Sequence, residues 1–394
     1  MNCLLRIYTA SRACAHSMPA FVCSRYISSA TDSGSKQDLE QATKRNKEPQ
    51  LYRHQRAIIF PGQGSQFIGM GKDLCNEFVA SRRVFEQVDE VLGYSISRLM
   101  FQGGPEELTL TKNAQPAIVA VSVAAMRALE QETGMDVADI YSFAMGHSVG
   151  EYSALIAAQA VSLEDGIRLV RTRGEAMQDA IREREYAMSA CILRKCTVDD
   201  VLSEVENVQQ QIFQEMGVTS SDDEVVQVAN INSSSQIVLS GTRLAVDRAL
   251  ASLQSKRLAM RAVNLPVSAP FHCRLMAPAK EVLAARIAEL APIKHKDSWA
   301  MPVVSNATAK PYDTTETTQR LLAEQIDRPV LWLQSMEYLK NEHGISRWGA
   351  MAPGNVVGNL AGKEYAKDIV RRLSDAAAIK DFVAVLERQA KRGR

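Results

Sequence analysis

Hydrophobic residues along the chain fall into short strand-like runs that alternate with longer helical stretches. Residues 57–60 form an apolar run that ends at Pro61-Gly62, which is typical of a buried strand entering a glycine-rich loop. Residues 114–130 are apolar on nearly all sides, which predicts a helix in the interior. A second strand is expected at 141–145 and a further helix at 151–159. This alternation predicts an α/β core around a mostly parallel sheet.

A different pattern occupies residues 186–267. Strand-like runs at 187–193, 225–231, 236–240 and 261–267 are interleaved with helix-like stretches at 197–215 and 243–255. A turn cluster at 232–235 separates the second run from the third. The order βαββαβ is the ferredoxin-like pattern. We therefore predict a small ferredoxin-like domain at 186–267, inserted into a large α/β-hydrolase-like core formed by 56–185 and 268–385.

Composition excludes several functions without choosing one. The 394 residues include 46 Lys and Arg against 45 Asp and Glu, so bulk charge does not predict nucleic-acid binding. Hydrophobic residues make up 46% of the chain, which excludes a largely disordered protein. No run of 18 apolar residues is present, so no membrane span is expected. The seven Cys are scattered without a CxxC pair, so we predict neither a disulfide framework nor a metal site.

The two ends of the chain differ from its middle. Residues 1–31 contain three Arg and five Ser but no Asp or Glu, which is typical of a mitochondrial transit peptide. A merely disordered N-terminus is the alternative. Residues 32–55 are polar and charge-mixed and are interpreted as a linker. We expect a basic, solvated tail at 386–394. The predicted localisation is the mitochondrial matrix.

The run Gly146-His147-Ser148-Val149-Gly150 follows a predicted strand and precedes a predicted helix. It matches G-x-S-x-G, in which the glycines permit a sharp turn that exposes a nucleophilic Ser. An ordinary glycine-rich turn between a strand and a helix has the same pattern. A nucleophilic Ser needs a base. Of the six His, His272 is the best placed, in the loop that leaves the inserted domain, although a structural His is a close alternative.

A second glycine-rich loop, Gly62-Gln63-Gly64-Ser65-Gln66, follows the first predicted strand. It lacks the Gly-Lys-Ser/Thr ending of a phosphate-binding loop. Such a loop can lend a backbone N–H to an oxyanion hole, or it can be a structural turn, and the loop alone does not decide between them.

Further segments accompany these two loops along the chain. They are Pro270-Phe271-His272, Asn113-Ala114-Gln115-Pro116, the stretch 170–178 and the stretch 325–330. In order and spacing the six motifs resemble those of the malonyl-CoA:acyl carrier protein transacylases, over about residues 56–385. Together with the N-terminus, the resemblance implies a mitochondrial member of that family. One departure is Ala350-Met351-Ala352-Pro353-Gly354, where the family usually has Glu-x-Gly-Pro-Gly.

The resemblance implies acyl transfer through a covalent ester. Ser148 would be the nucleophile that attacks the malonyl thioester of coenzyme A, and His272 would be the general base. The backbone N–H groups of Gln63 and Val149 would form the oxyanion hole. Arg173 would bind the free carboxylate of the malonyl group, because a guanidinium matches a carboxylate in shape and charge. Without the resemblance, Arg173 would be interpreted as a surface residue of a charged helix.

The remaining implied roles concern support and partners. The backbone carbonyl of Gln325 would orient the catalytic His, Asn232 would support the site from the small domain, and His147 would lie beside the acyl pocket. The acceptor would be the phosphopantetheine thiol of acyl carrier protein, for mitochondrial fatty acid synthesis. No cofactor is expected, and a monomer is predicted.

Two other functions stay open on the sequence. A serine esterase or thioesterase would need an Asp or Glu between Ser148 and a late His, and an apolar acyl tunnel without Arg173. A non-catalytic scaffold that binds acyl carrier protein would fail to acylate Ser148, and the intact Ser148 and His272 argue against it.

Overall fold

A computed structural model describes residues 55–180, 185–216, 224–366 and 369–392. The predicted transit peptide and all of the predicted linker except Gln55 lie outside the described residues. Among the described residues the strands are, in chain order, β1 Arg56–Phe60, β2 Phe143–Gly146, β3 Tyr186–Leu193, β4 Val226–Ser233, β5 Gln236–Thr242, β6 Ala259–Asn264, β7 Val303–Val304, β8 Arg347–Met351 and β9 Val370–Leu373. The α-helices of the same residues are α1 Lys72–Glu77, α2 Val79–Leu92, α3 Ile96–Gln102, α4 Pro105–Thr109, α5 Thr111–Thr133, α6 Val137–Ile140, α7 Gly150–Ala157, α8 Leu163–Asp179, α9 Val198–Met216, α10 Arg243–Ser255, α11 Ala277–Leu290, α12 Thr315–Glu324, α13 Trp332–His343, α14 Val356–Glu364 and α15 Ala376–Arg392.

Five strands form a sheet in the order β7-β2-β1-β8-β9, in which every pair is parallel. Alternate residues of β1 enter different hydrophobic clusters, because successive side chains of a strand point to opposite faces. Ile58 and Phe60 pack in the cluster that contains the buried helix α5. Ala57 and Ile59 pack in the cluster that contains Trp332 at the start of α13. Helices thus cover both faces of the sheet, and the predicted α/β core is confirmed.

Strands β3 to β6 form a separate antiparallel sheet in the order β4-β5-β3-β6. This is the ferredoxin-like arrangement that the βαββαβ pattern predicts. Helices α9 and α10 pack on it around a core of its own, which includes Val201, Ile212, Leu239 and Val246. The sheet also hydrogen-bonds to the large core, because the backbone of Val330 bonds to β4.

Two predicted strand ends in this sheet are wrong. β4 continues through Ser233, so Asn232 lies in a strand and not in the predicted turn at 232–235. The predicted strand at 261–267 ends at Asn264. Pro266 explains that end, since it has no backbone N–H with which to continue the ladder.

The segment 386–394, predicted as a basic tail, overlaps the end of helix α15, which continues to Arg392. The apolar residues of α15 recur at helical spacing, and Ile379, Phe382, Val383 and Leu386 are buried against the core. The segment that departs from the family motif is held by α5, since Ser122 Oγ donates to the backbone carbonyl of Ala352 at 2.7 Å. None of the described helices is long and apolar enough to cross a lipid bilayer.

Candidate active site

Ser148 lies at a tight turn between the end of β2 and the start of α7. Its backbone φ of 53° is in the left-handed region, where residues other than glycine are uncommon. A Cβ on Gly146 would lie 2.0 Å from backbone atoms of Gly150. A Cβ on Gly150 would lie 2.6 Å from the carbonyl oxygens of Phe60 and Pro61. Both glycines are therefore steric requirements of the turn, as the G-x-S-x-G pattern predicts.

His272 lies directly beside the Ser148 hydroxyl. Ser148 Oγ is 2.7 Å from His272 Nε2, and His272 Nδ1 is 2.9 Å from the backbone oxygen of Gln325. A carbonyl oxygen only accepts hydrogen bonds, so Nδ1 carries the ring proton and Nε2 is free to accept the proton of Ser148. Nucleophile, base and orienting group are thus aligned, with a backbone carbonyl where a Ser-His-Asp triad has a carboxylate.

The protonation state of His272 suits a base. Burial, followed by the positive charge of Arg173, lowers the pKa of His272 to about 3, although its hydrogen bond to the Gln325 carbonyl acts in the opposite direction. His272 is therefore neutral at pH 7. Burial also lowers the pKa of the neighbouring His147.

Arg173, on α8, is buried with only 1% of its surface exposed. Its Nη2 donates to Ser148 Oγ at 3.1 Å and to Gln325 Oε1 at 2.8 Å. Its guanidinium carbon lies 5.9 Å from the ring centre of Tyr152, within the range of a cation–π contact. Its Nε is buried and has no hydrogen-bond partner among the described residues. A buried guanidinium with an unused donor beside a nucleophile is suited to binding a carboxylate.

Glu151 is completely buried close to this arginine. Its carboxyl group accepts hydrogen bonds from Gln325 Nε2 at 2.6 Å, from the backbone N–H of Asn306 at 3.2 Å and from the Tyr312 hydroxyl. Because Glu151 takes the amide nitrogen of Gln325, the amide oxygen faces Arg173. Burial raises the pKa of Glu151 to about 7, although the hydrogen bonds from Tyr312 and Gln325 lower it. The Ser148 backbone carbonyl accepts from the same Gln325 nitrogen at 2.9 Å, so Glu151 and this carbonyl together determine which way the amide is turned.

Asn306 holds the nucleophile turn from the loop that follows β7. Its Oδ1 accepts from the backbone N–H of Ser148 at 2.7 Å, and its Nδ2 donates to the Gly146 carbonyl at 2.7 Å. The sequence motifs assign no role to Asn306, Glu151 or Tyr312. Only Glu151 has a detectable signal, because it is a charged residue within an apolar helix that directly follows the G-x-S-x-G turn.

The site opens into a cleft of about 460 Å³ that both sheets line. Asn232 on β4 lines it from the antiparallel sheet, and its Oδ1 lies 2.8 Å from His147 Nε2. Gln63 and Val149 line it from the large core, and their backbone N–H groups donate to no acceptor within the described part of the chain. Such unused donors are what an oxyanion requires.

The structure brings together every residue to which the sequence assigns a role, namely Gln63, His147, Ser148, Val149, Arg173, Asn232, His272 and Gln325. Their catalytic roles stay predictions. Within the described ranges no group of three or more His, Cys, Asp and Glu is arranged to hold a metal ion. The expectation that no cofactor is needed likewise stays a prediction.

Comparison with known proteins gives the family. The acyl transferase domain family matches residues 57–339. A malonyl CoA-acyl carrier protein transacylase of Bacillus subtilis is 37% identical over 333 residues, which cover 84% of this chain and 98% of the relative. The chain belongs to the malonyl-CoA:acyl carrier protein transacylase family.

Solved structures of transacylases share this fold. An acyl-carrier-protein-S-malonyltransferase from Bartonella henselae is 38% identical, with a TM-score of 0.75 over 84% of this chain and 99% of that one. A malonyl-transacylase in complex with its type II polyketide synthase acyl carrier protein is 32% identical, with a TM-score of 0.74 over 84% and 99%. The fold class and the family that the motifs indicate are therefore confirmed.

Proposed function

We propose that this protein moves a malonyl group from coenzyme A to the phosphopantetheine thiol of an acyl carrier protein through an ester on Ser148. The observation that carries this proposal is the contact of Arg173 Nη2 with Ser148 Oγ at 3.1 Å. It places a buried cation beside the atom that becomes acylated. An acyl group that ends in a free carboxylate is therefore matched to the site, and the family membership supports the same substrate.

In the first half-reaction Ser148 Oγ attacks the thioester carbonyl carbon while His272 Nε2 takes the hydroxyl proton. The backbone N–H groups of Gln63 and Val149 stabilise the oxyanion that develops on the carbonyl oxygen. The carbon–sulfur bond then breaks, and His272 returns the proton to the departing sulfur. The products are free coenzyme A thiol and a malonyl ester on Ser148.

In the second half-reaction the phosphopantetheine thiol enters the same cleft. His272 Nε2 takes the thiol proton, and the sulfur attacks the ester carbonyl carbon. The bond from carbon to Ser148 Oγ breaks, and Oγ recovers the proton from His272. Transfer instead of hydrolysis requires that water is poorly placed for the same attack.

Arg173 couples substrate charge to the base. Its positive charge is one cause of the low pKa of His272. A malonyl carboxylate paired with Arg173 offsets that charge, so the pKa of His272 rises when the correct substrate is bound. An acetyl group leaves the buried guanidinium unpaired and gives no such increase. Selectivity for malonyl over acetyl thus has two sources: the carboxylate pairs with Arg173, and that pairing raises the pKa of the base His272.

The partner and the setting are part of the proposal. The structure of a related malonyl-transacylase is a complex with its acyl carrier protein, which supports a carrier protein as the acceptor of the malonyl group. Lys363, whose Nζ donates to the cleft residue Gln236, provides positive charge at the rim for an acidic partner. The composition of residues 1–31 supports import into the mitochondrial matrix, and mitochondrial fatty acid synthesis is the proposed pathway. We propose a monomer that uses no cofactor.

Intact-mass measurement after brief mixing with malonyl-CoA or acetyl-CoA tests the loading step. We expect a malonyl adduct on the wild type, little acetyl adduct, and no adduct on Ser148→Ala. An adduct that persists on Ser148→Ala, or equal loading of both acyl groups, would contradict the proposal. Rapid release of free malonate without any carrier protein would favour a hydrolase, and no adduct at all would favour a scaffold.

A further inference from the structure

A second pocket lies at the amino edge of the parallel sheet, opposite the catalytic cleft. Its volume is about 230 Å³. Pockets that hold drug-sized ligands usually measure about 300–1,000 Å³, so a ligand of this pocket is small. Residues at the starts of β1, β8 and β9 line it, and α15 closes one side. Because strands run from this edge to the Ser148 turn, the two sites are separated by the length of the sheet.

Three arginines approach this pocket from neighbouring strands. Arg56 is opposite Arg347 in the register of β1 and β8, and Gly349 is opposite Arg371 in β8 and β9. Residues that are opposite each other in a parallel pair share a face, as do residues two apart along a strand. Arg56, Arg347 and Arg371 therefore lie on one face of three adjacent strands. None of the described residues that line the pocket is acidic.

The other polar groups of the pocket also offer donors. The Tyr141 hydroxyl is buried and has no hydrogen-bond partner among the described residues. Gly349 provides the space for it, since a Cβ there would lie 2.2 Å from the hydroxyl oxygen. Gln389 Oε1 already accepts a hydrogen bond from Arg56 Nη2 at 2.8 Å, which leaves the amide nitrogen as a donor. The described lining of the pocket thus combines positive charge with hydrogen-bond donors.

We propose that this pocket binds a small multivalent oxyanion of the phosphate class. Such an ion offers several acceptor oxygens and carries the negative charge that clustered guanidinium groups attract. The buried Arg56 and the Tyr141 hydroxyl form the inner contacts, and the exposed Arg347 and Arg371 hold the outer oxygens. The bound ion connects β1, β8 and β9 with α15 and so stabilises the folded protein.

Titration of the full protein with inorganic phosphate tests this site, with ionic strength held constant by chloride. Thermal unfolding reports stabilisation, and calorimetry reports the dissociation constant. The informative variant combines Arg347→Gln with Arg371→Gln. Its matched control combines Arg372→Gln with Arg168→Gln, which removes the same charge. Arg372 neighbours Arg371 but alternates to the other face and donates to Asn359, and Arg168 pairs with Asp165 on α8.

We expect phosphate to raise the unfolding midpoint of the wild type and of the control pair. In the Arg347/Arg371 pair the dissociation constant should rise at least about tenfold, because charged hydrogen bonds are lost. Equal dissociation constants in all three proteins would overturn the proposal, since phosphate would then bind elsewhere. Stabilisation by succinate without any by phosphate would overturn it as well, because the pocket would then select a dicarboxylate. Circular dichroism verifies that both variants are folded.

Discussion

At the carboxyl edge of the parallel sheet a buried arginine lies beside a nucleophile and close to a carboxyl group, whereas at the amino edge a buried arginine lies close to two further arginines. Arg173 donates to Gln325 Oε1 and to Ser148 Oγ, and the Glu151 carboxyl group stands behind that amide. Arg56 donates to Gln389 Oε1, and the described lining of its pocket also includes Arg347, Arg371 and the Tyr141 hydroxyl.

The comparison shows that the groups around a buried arginine determine which kind of anion it is suited to bind. Hydrogen-bond acceptors hold Arg173 in one orientation and offset part of its charge. The site for a substrate carboxylate is therefore preorganised. At the amino edge the described lining residues include no acidic one, and a bound anion would reduce the repulsion between the clustered like charges. The two proposals therefore assign two kinds of anion recognition to one sheet, of which only one has a nucleophile beside it.

The largest expected effect is on the rate of acyl transfer, when a histidine is substituted at the carboxyl edge and, as a control, at the amino edge. His272→Ala removes the base from Ser148, and we expect malonyl transfer to fall about a thousandfold. His343→Ala is the control, because His343 is an exposed ring near the start of β2 that contacts Phe143 and Tyr338. Steady-state transfer to carrier protein measures both. Similar losses in the two variants would mean that His272 is not the base.

The second effect concerns Arg173. Arg173→Gln removes the carboxylate-binding charge, and malonyl loading should fall at least about a hundredfold, as expected when one partner of a buried ion pair is lost. Acetyl loading should stay the same or increase. Arg168→Gln, on the exposed side of the same helix, is the control. Single-turnover loading with each thioester gives the ratio, and an unchanged malonyl-to-acetyl ratio would rule out the carboxylate contact.

A smaller effect is expected at Glu151, where two substitutions distinguish the role of its hydrogen bond to Gln325 from the role of its negative charge. Glu151→Ala removes one of the two acceptors of the Gln325 amide nitrogen, the other being the Ser148 backbone carbonyl. The KM for malonyl-CoA should therefore rise about tenfold with a smaller change in kcat. Glu151→Gln keeps an acceptor oxygen without the charge and should restore most of the affinity. If both variants lose affinity equally, the carboxylate charge and not the hydrogen bond is what matters.

The smallest effect is in the pH dependence of stability. Between pH 4.5 and 6.5 the unfolded chain protonates His272 while the folded protein does not, so this group makes stability rise with pH. Over the same interval folded Glu151 holds a proton that the unfolded chain has released, so this group makes stability fall with pH.

These two slopes oppose each other in the wild type, and Glu151→Gln removes only the second. The free energy of unfolding of this variant should therefore rise with pH more steeply than that of the wild type, by up to about 1.4 kcal/mol per pH unit. Urea unfolding at pH 5 and pH 6 measures both slopes. Parallel pH dependences would show that Glu151 is ionised in the folded protein throughout this range.

Local sequence rules predicted much of the fold because the decisive signals are local. The G-x-S-x-G turn, the run at 57–60 and the βαββαβ order each depend on neighbouring residues, and each is found in the structure. The errors concern ends, where a long-range contact or one residue decides. Pro266 stops β6, and the ladder with β5 extends β4 through Ser233.

The candidate active site was predictable only in part, because some of its residues are brought together by contacts between distant parts of the chain. Ser148 and His272 lie in motifs, and the resemblance placed Arg173 and Gln325 beside them. Asn306 reaches the nucleophile turn from a distant loop and has no motif around it. The arginines of the amino edge are likewise far apart in sequence, and only the register of three strands brings them together.

The central claim is that Ser148 passes its acyl group to a thiol and not to water. The direct measurement isolates malonyl-loaded protein and mixes it with either phosphopantetheinylated acyl carrier protein or buffer alone, following both masses over time. We predict that the malonyl mass leaves Ser148 and appears on the carrier protein, while the loaded protein persists in buffer. Loss of the adduct at the same rate in both mixtures, with the carrier protein left unmodified, would contradict transacylation.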